Sequence, residues 1–188
     1  GRAAEAVPVL RGALALQPED TTCRVNLGRA LALAGDVPAA RAEFEAVLRL
    51  APGHPDAMFN LGVMSLGQDD LDDAGRWFER VVSESPGSAD THVNLGIVRQ
   101  REGRLDEALA CFRRALALDP GFAAAGANLA AALIALGRNP EAVAQLRENL
   151  RRNENDGGTW GTLADALFQT GELDEAALLF LAKLHRQQ

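Results

Sequence analysis

The 188-residue sequence contains no tyrosine, a single lysine (Lys183) and two cysteines, and aromatic residues make up only 5% of it. Cys23 and Cys111 form no CxxC pair, so they are expected to be buried, reduced thiols rather than redox or metal ligands. No apolar run approaches the roughly 18 residues of a membrane-spanning helix, and membrane insertion is not expected. The formal charge of −7 lacks the basic excess that a nucleic-acid binder needs to neutralise phosphates. Phosphate-loop (GxxxxGK[ST]) and nucleophile-elbow (GxSxG) motifs are both missing. β-Branched residues are sparse, which disfavours a sheet.

What is present is alanine, leucine and arginine; the strong preference for Arg over Lys is of the kind GC-rich bacterial genomes produce. Apolar residues reach 47%, enough for a continuous core. Acidic residues fall at predicted helix starts (Asp36, Asp106, Glu107, Glu141, Glu172, Asp174). Basic ones fall at predicted ends (Arg49, Arg113, Arg114, Arg151, Arg152, Arg186), as macrodipole matching on a solvated surface requires. The opening Gly1-Arg2-Ala3 lacks a methionine and fits a piece of a longer protein. The expected compartment is the cytoplasm, with any targeting segment outside these residues.

A 34-residue period organises the chain. It links Pro18, Pro52, Pro86 and Pro120; Leu27, Leu61, Leu95, Leu129 and Leu163; and Ala6, Ala40, Ala74, Ala108, Ala142 and Ala176. Phe44, Phe78, Phe112 and Phe180 share a further slot, with Leu146 in the remaining place. Several residue classes in one register make chance an untenable explanation. Each period reads as two helices. Within 89–122, Asp90 to Glu102 carries helical spacing, and Gly103 supplies a left-handed C-cap. A second helix from about Leu105 aligns Ala108, Leu109, Phe112, Ala115 and Leu116 on one stripe, until Asp119-Pro120-Gly121 stops it. Gly28, Gly62 and Gly96, with the alanine row, are expected to let the two backbones approach closely. Two helices with single apolar stripes cannot bury them alone, so successive periods must stack.

Leu95-Gly96, Ala108, Phe112 and Pro120 in this helix–turn–helix unit resemble the tetratricopeptide repeat. The resemblance implies an all-α fold, a right-handed α-solenoid of stacked helix–turn–helix units. Five repeats are expected at 21–54, 55–88, 89–122, 123–156 and 157–188, after 1–20 as the second helix of an incomplete repeat. The large residue often found early in the first helix is preserved only as Trp160, with Arg24, Met58, His92 and Gly126 at that slot elsewhere. In the fourth repeat Ala130 replaces the glycine and Glu154 the proline, so a looser or bent joint is expected there, setting the fifth repeat apart.

Catalytic chemistry has no residues to carry it, and neither an enzyme nor a cofactor or metal site is expected. His54, His92 and His185 lie far apart and are expected at the surface. The run Asp69, Asp70, Asp72 and Asp73 lacks the glycine and terminal glutamate of a calcium loop and sits at a helix start.

Binding is the remaining class. On the first helix of the third repeat, Leu95 and Arg99 lean toward the partner helix, whereas Asp90, Asn94, Ile97 and Arg101 fall on another face. In proteins similar to this one, that face lines the concave side of the superhelix. It carries a row at one slot, Asn26, Asn60, Asn94 and Asn128, ending at Thr162. Asparagine is a mediocre helix former, so four in register need a reason. One reason is structural: the amide satisfies a backbone group of the adjacent helix, or the row echoes duplication of one repeat. The other is functional: amides donate and accept as a peptide backbone does, and a ladder of them holds an extended chain whatever its sequence. The row resembles the asparagine ladder of the tetratricopeptide region of O-GlcNAc transferases.

Val25, Phe59, Val93 and Ala127 precede the asparagines, and Val63, Ile97 and Ala131 follow them by three. Charges on the face are few and mixed: Arg29, Asp56, Asp90, Arg101 and Asp165. Relatives that clamp acidic chaperone tails place lysines about one turn earlier, where this chain has Thr22, Asp56, Asp90 and Ala124. The two aspartates would repel such a tail. The expected function is a scaffold that binds an extended peptide or protein segment in its concave groove. The alternatives are a substrate-recognition arm of a larger enzyme such as a glycosyltransferase, and a self-assembling scaffold joined end to end through apolar terminal helices such as that around Leu178-Leu179-Phe180-Leu181.

Overall fold

The computed structural model describes residues 2–154 and 157–178, which are all-helical with no strand among them. The expectations for Phe180, Lys183, His185 and Arg186, and for most of the last apolar edge, lie outside the described residues. Two compact units are present, Gly1–Gly87 and Ser88–Gln188. The first holds α1 (Arg2–Leu16), α2 (Thr21–Leu33), α3 (Val37–Leu50), α4 (Pro55–Gly67) and α5 (Leu71–Glu84). The second holds α6 (Ala89–Arg101), α7 (Leu105–Leu118), α8 (Ala123–Ala135), α9 (Asn139–Arg152) and α10 (Gly157–Thr170), followed by a helical stretch over 173–178. Within each unit, helices adjacent in sequence pack in antiparallel pairs, and the pairs stack.

The helix limits follow from local chemistry. Asp20, Asp36, Asp70 and Ser88 accept the backbone N–H three residues on, at 2.9–3.2 Å, and so satisfy donors that a helix start leaves open. Gly35, Gly103, Gly137 and Gly171 all adopt positive φ, between 70° and 89°, at one slot of the period. Asp69 (φ 64°) occupies the same slot without being glycine. Arg49, Arg151 and Arg152 lie in last turns as expected. Arg113 and Arg114 do not: α7 runs on to Leu118, and Arg113 instead reaches Glu141 of α9 at 3.4 Å.

The conserved-size slots pack as side chain against missing side chain. A Cβ on Gly28, Gly62 or Gly96 would meet the ring of Phe44, Phe78 or Phe112 at 2.7, 2.7 and 2.5 Å. These glycines make room for a phenylalanine ring that is itself at most 1% exposed and fills the space between the two helices. Ala130 is fully buried at the corresponding slot, where the ring position holds the smaller Leu146. The looser or bent joint expected after the fourth repeat falls at 153–158, partly outside the described residues. Ala130, Val143, Leu146 and Leu150 share one core cluster with Leu163, Ala166, Leu167 and Ala176. Losing glycine together with phenylalanine conserves the fit and leaves no gap to loosen.

The buried interior has polar members. Ser65, fully buried, donates to Asp73 Oδ2 (2.7 Å) and accepts from Arg41 (3.1 Å); Trp77 and Arg76 also donate to the Asp73 carboxylate, both at 3.1 Å. Burial pushes this carboxyl up, but those three hydrogen bonds and the charge of Arg41 outweigh it and hold the group below the ordinary value. Arg99, 8% exposed, pairs with Glu102 at 2.9 Å and Glu107 at 3.6 Å. His92 is 7% exposed, which corrects its expected surface position. It occupies the slot of the fully buried Met58, so its place in the period outweighs its polarity. Cys23 is buried and its thiol donates to Leu10 O at 3.5 Å, whereas Cys111 is only half-buried; neither is in a disulfide.

Candidate peptide-binding face

The in-register amides lie on α2, α4, α6 and α8. Asn60 Nδ2 donates to Asp56 O (2.7 Å), Asn94 to Asp90 O (2.9 Å) and Asn128 to Ala124 O (2.8 Å). Thr162 Oγ1 repeats the pattern on α10, donating to Gly158 O at 3.1 Å. Asn26 is exposed and makes no side-chain hydrogen bond among the described residues. The structural explanation of the row thus changes form: the amides bond the preceding turn of their own helix, not the adjacent helix. A carbonyl only accepts, so the NH2 end must face it and the Oδ1 end must face away. Each half-buried asparagine is held in one rotamer with an acceptor presented to solvent.

The flanking positions separate by burial. Val25 (3% exposed) and Val93 (5%) belong to the core and cannot touch a ligand, which corrects their expected place along the groove. Phe59 is half-buried, its ring centroid 5.8 Å from that of Phe78 and tilted 59°, so it supports the core and offers only an edge to the face. Val63 is 41% exposed and Ile97 half-buried, three residues beyond their asparagines. They provide the apolar surface of the face. In the first unit Arg29 of α2 reaches Asp56 of α4 at 3.5 Å, both side chains about half-exposed, so these two charges cancel. In the second unit Asp90 and Arg101 are exposed at opposite ends of α6. The Asp90 carboxylate has no ion-pair partner among the described residues.

No group of three potential metal ligands occurs among the described residues, and no described helix is long and apolar enough to cross a membrane. Asp70 caps α5 and Asp72 and Asp73 sit in its first turn. Sequence reasoning missed Asn149 of α9. It occupies the slot of Val47, Val81 and Ala115, lies against Gly126 and accepts from Gln145 at 2.8 Å. Its buried Nδ2 has no hydrogen-bond partner among the described residues. The signal was available, because Gly126 stands where every other repeat has a large residue.

Stacked helical hairpins with a regular amide row on one set of helices define a class, the helical-repeat proteins that act as interaction scaffolds. Tetratricopeptide repeat family models match residues 34–89 and 128–187, 89–122, and 1–61, and the chain belongs to the tetratricopeptide repeat family. No curated protein matches the chain. Among solved structures it is similar to pilF of Pseudomonas aeruginosa, with TM-score 0.85 and 17% identity over 97% of this chain and 83% of that one. It is also similar to MamA (TM-score 0.82, 21% identity, 90% and 93% covered). A third likeness is to YrrB, described as a tetratricopeptide repeat protein with an unusual peptide-binding site (TM-score 0.78, 17% identity, 94% and 91% covered).

Proposed function

We propose that the asparagine face binds an extended segment of another protein, each amide receiving a backbone N–H. The observation that carries this reading is the shared pinning of Asn60, Asn94 and Asn128 to the carbonyl four residues back. An acceptor already fixed in one rotamer loses little entropy when a partner docks, so the hydrogen bond is retained as affinity. Val63 in the first unit and Ile97 in the second would each take an apolar side chain of a bound segment. The described peptide-binding site of YrrB, a relative in fold, lends the reading support. Replacing Asn60 and Asn94 together by Ala should weaken binding by roughly 1 kcal/mol per lost hydrogen bond. Capture of partners by the wild-type array and by the double variant, followed by calorimetry with the captured protein, tests this. Equal affinities would remove the amides from the binding face.

A further inference from the structure

We infer that the second unit selects a segment bearing a lysine or arginine side chain, read by Asp90 beside Asn94 and Asn128. This rests on the groove reading above and specifies the partner's chemistry. Asn94 and Asn128 spend an N–H on their own helices and turn oxygens outward, so both offer acceptors. Asp90 adds a carboxylate that is exposed and without an ion-pair partner among the described residues. Arg101, eleven residues along α6 and so about 16 Å away along its axis, is too distant to neutralise it. Ala124, Ala127 and Ala131 of α8 are exposed and bring neither donors nor charge. The first unit differs, because Arg29 already cancels Asp56 at 3.5 Å.

The spacing suits one strand. Asp90 and Asn94 are four residues apart on α6, about 6 Å along the axis. A lysine or arginine side chain is long enough to cover that distance from a backbone whose N–H is held by Asn94, and so to reach Asp90. The chain's own charge of −7 adds a general attraction for a basic partner.

The test is selection of a displayed random-peptide library on the whole 188-residue chain, with recovered peptides measured by fluorescence anisotropy. A lysine or arginine at a fixed position is expected. Its replacement by norleucine should weaken binding to wild type by up to about five-fold, the upper end for an exposed ion pair, and leave binding to Asp90→Asn unchanged. Equal losses against both proteins, an acidic or uncharged consensus, or no recovered peptide would overturn the inference. The groove itself is judged separately: if Asn94→Ala/Asn128→Ala binds the same peptides as tightly as wild type, the amide face is not the site.

Discussion

Gly62→Ala probes the glycine–phenylalanine pairing most directly. The added methyl would sit 2.7 Å from Phe78 Cε1 and 2.9 Å from Cζ, against about 3.4 Å for ordinary contact. The ring must therefore retreat by about 0.7 Å, and it is fully buried, with the rest of its cluster already close-packed around it. Such overpacking costs about 1–3 kcal/mol. Helix propensity returns about 1 kcal/mol of this, because alanine replaces glycine inside α4. A net loss of up to about 2 kcal/mol is expected in urea denaturation, with an unchanged slope. Gly12→Ala in α1, where nothing lies within 4 Å of the added methyl, isolates the propensity gain and should be stabilising. The decisive comparison is Gly62→Ala/Phe78→Leu, which rebuilds in the second repeat the Ala130/Leu146 pair of the fourth. It should be more stable than the sum of the single changes by about 1 kcal/mol or more. Additivity within about 0.5 kcal/mol would refute the argument that the glycine exists to seat the ring.

Three further outcomes are expected. Gly103→Ala should cost about 1–2 kcal/mol of denaturation stability; nothing crowds its added methyl, so the whole cost is the positive φ of 79°. Asn149→Val should raise the denaturation midpoint by the equivalent of about 1 kcal/mol, because it removes a buried amide N–H without a partner and restores the residue type of Val47 and Val81. Asp73 holds its proton less tightly in the folded than in the unfolded chain, so its contribution is complete at neutral pH and is lost as pH falls below the usual carboxylate range. The stability gap between wild type and Asp73→Asn, measured by denaturant titration across that range, should close on acidification; a gap independent of pH would refute this role of the Ser65–Asp73 network.

The sequence made much of this architecture legible because the period records packing. Helix starts at acidic caps and ends at glycine were readable from residue type, since each choice answers a local backbone need. Asn94 and Leu95 could be assigned to different faces from helical geometry alone. The errors arose where a residue's type and its slot disagree. His92 was assigned by polarity to the surface, yet its slot is that of buried Met58. Val25 and Val93 were placed along the groove by adjacency to the asparagines, but one residue is 100° of helix rotation, enough to turn a side chain from solvent into the core. At Ala130 the repeat pattern weakens, yet the Ala130/Leu146 exchange keeps the fit, so pattern loss in a matched pair is not loss of packing.

The amide orientation could not be read from sequence, and it alters the function argued from it. A free asparagine is both donor and acceptor, so a row of four implies only a general affinity for peptide backbone. Once the NH2 ends of Asn60, Asn94 and Asn128 are committed to carbonyls of their own helices, the row acquires a polarity: oxygens outward, hydrogens inward. On the proposed reading a partner meets the outward oxygens with donors, and backbone N–H groups supply them for any extended chain. Selectivity would then come from the positions between the amides, and there the two units differ. Arg29 neutralises Asp56 in the first, leaving Val63 as its exposed contact, whereas Asp90 in the second retains an unpaired charge. On that reading, regular amides set the backbone path, and the residues that break the regularity decide which chain follows it.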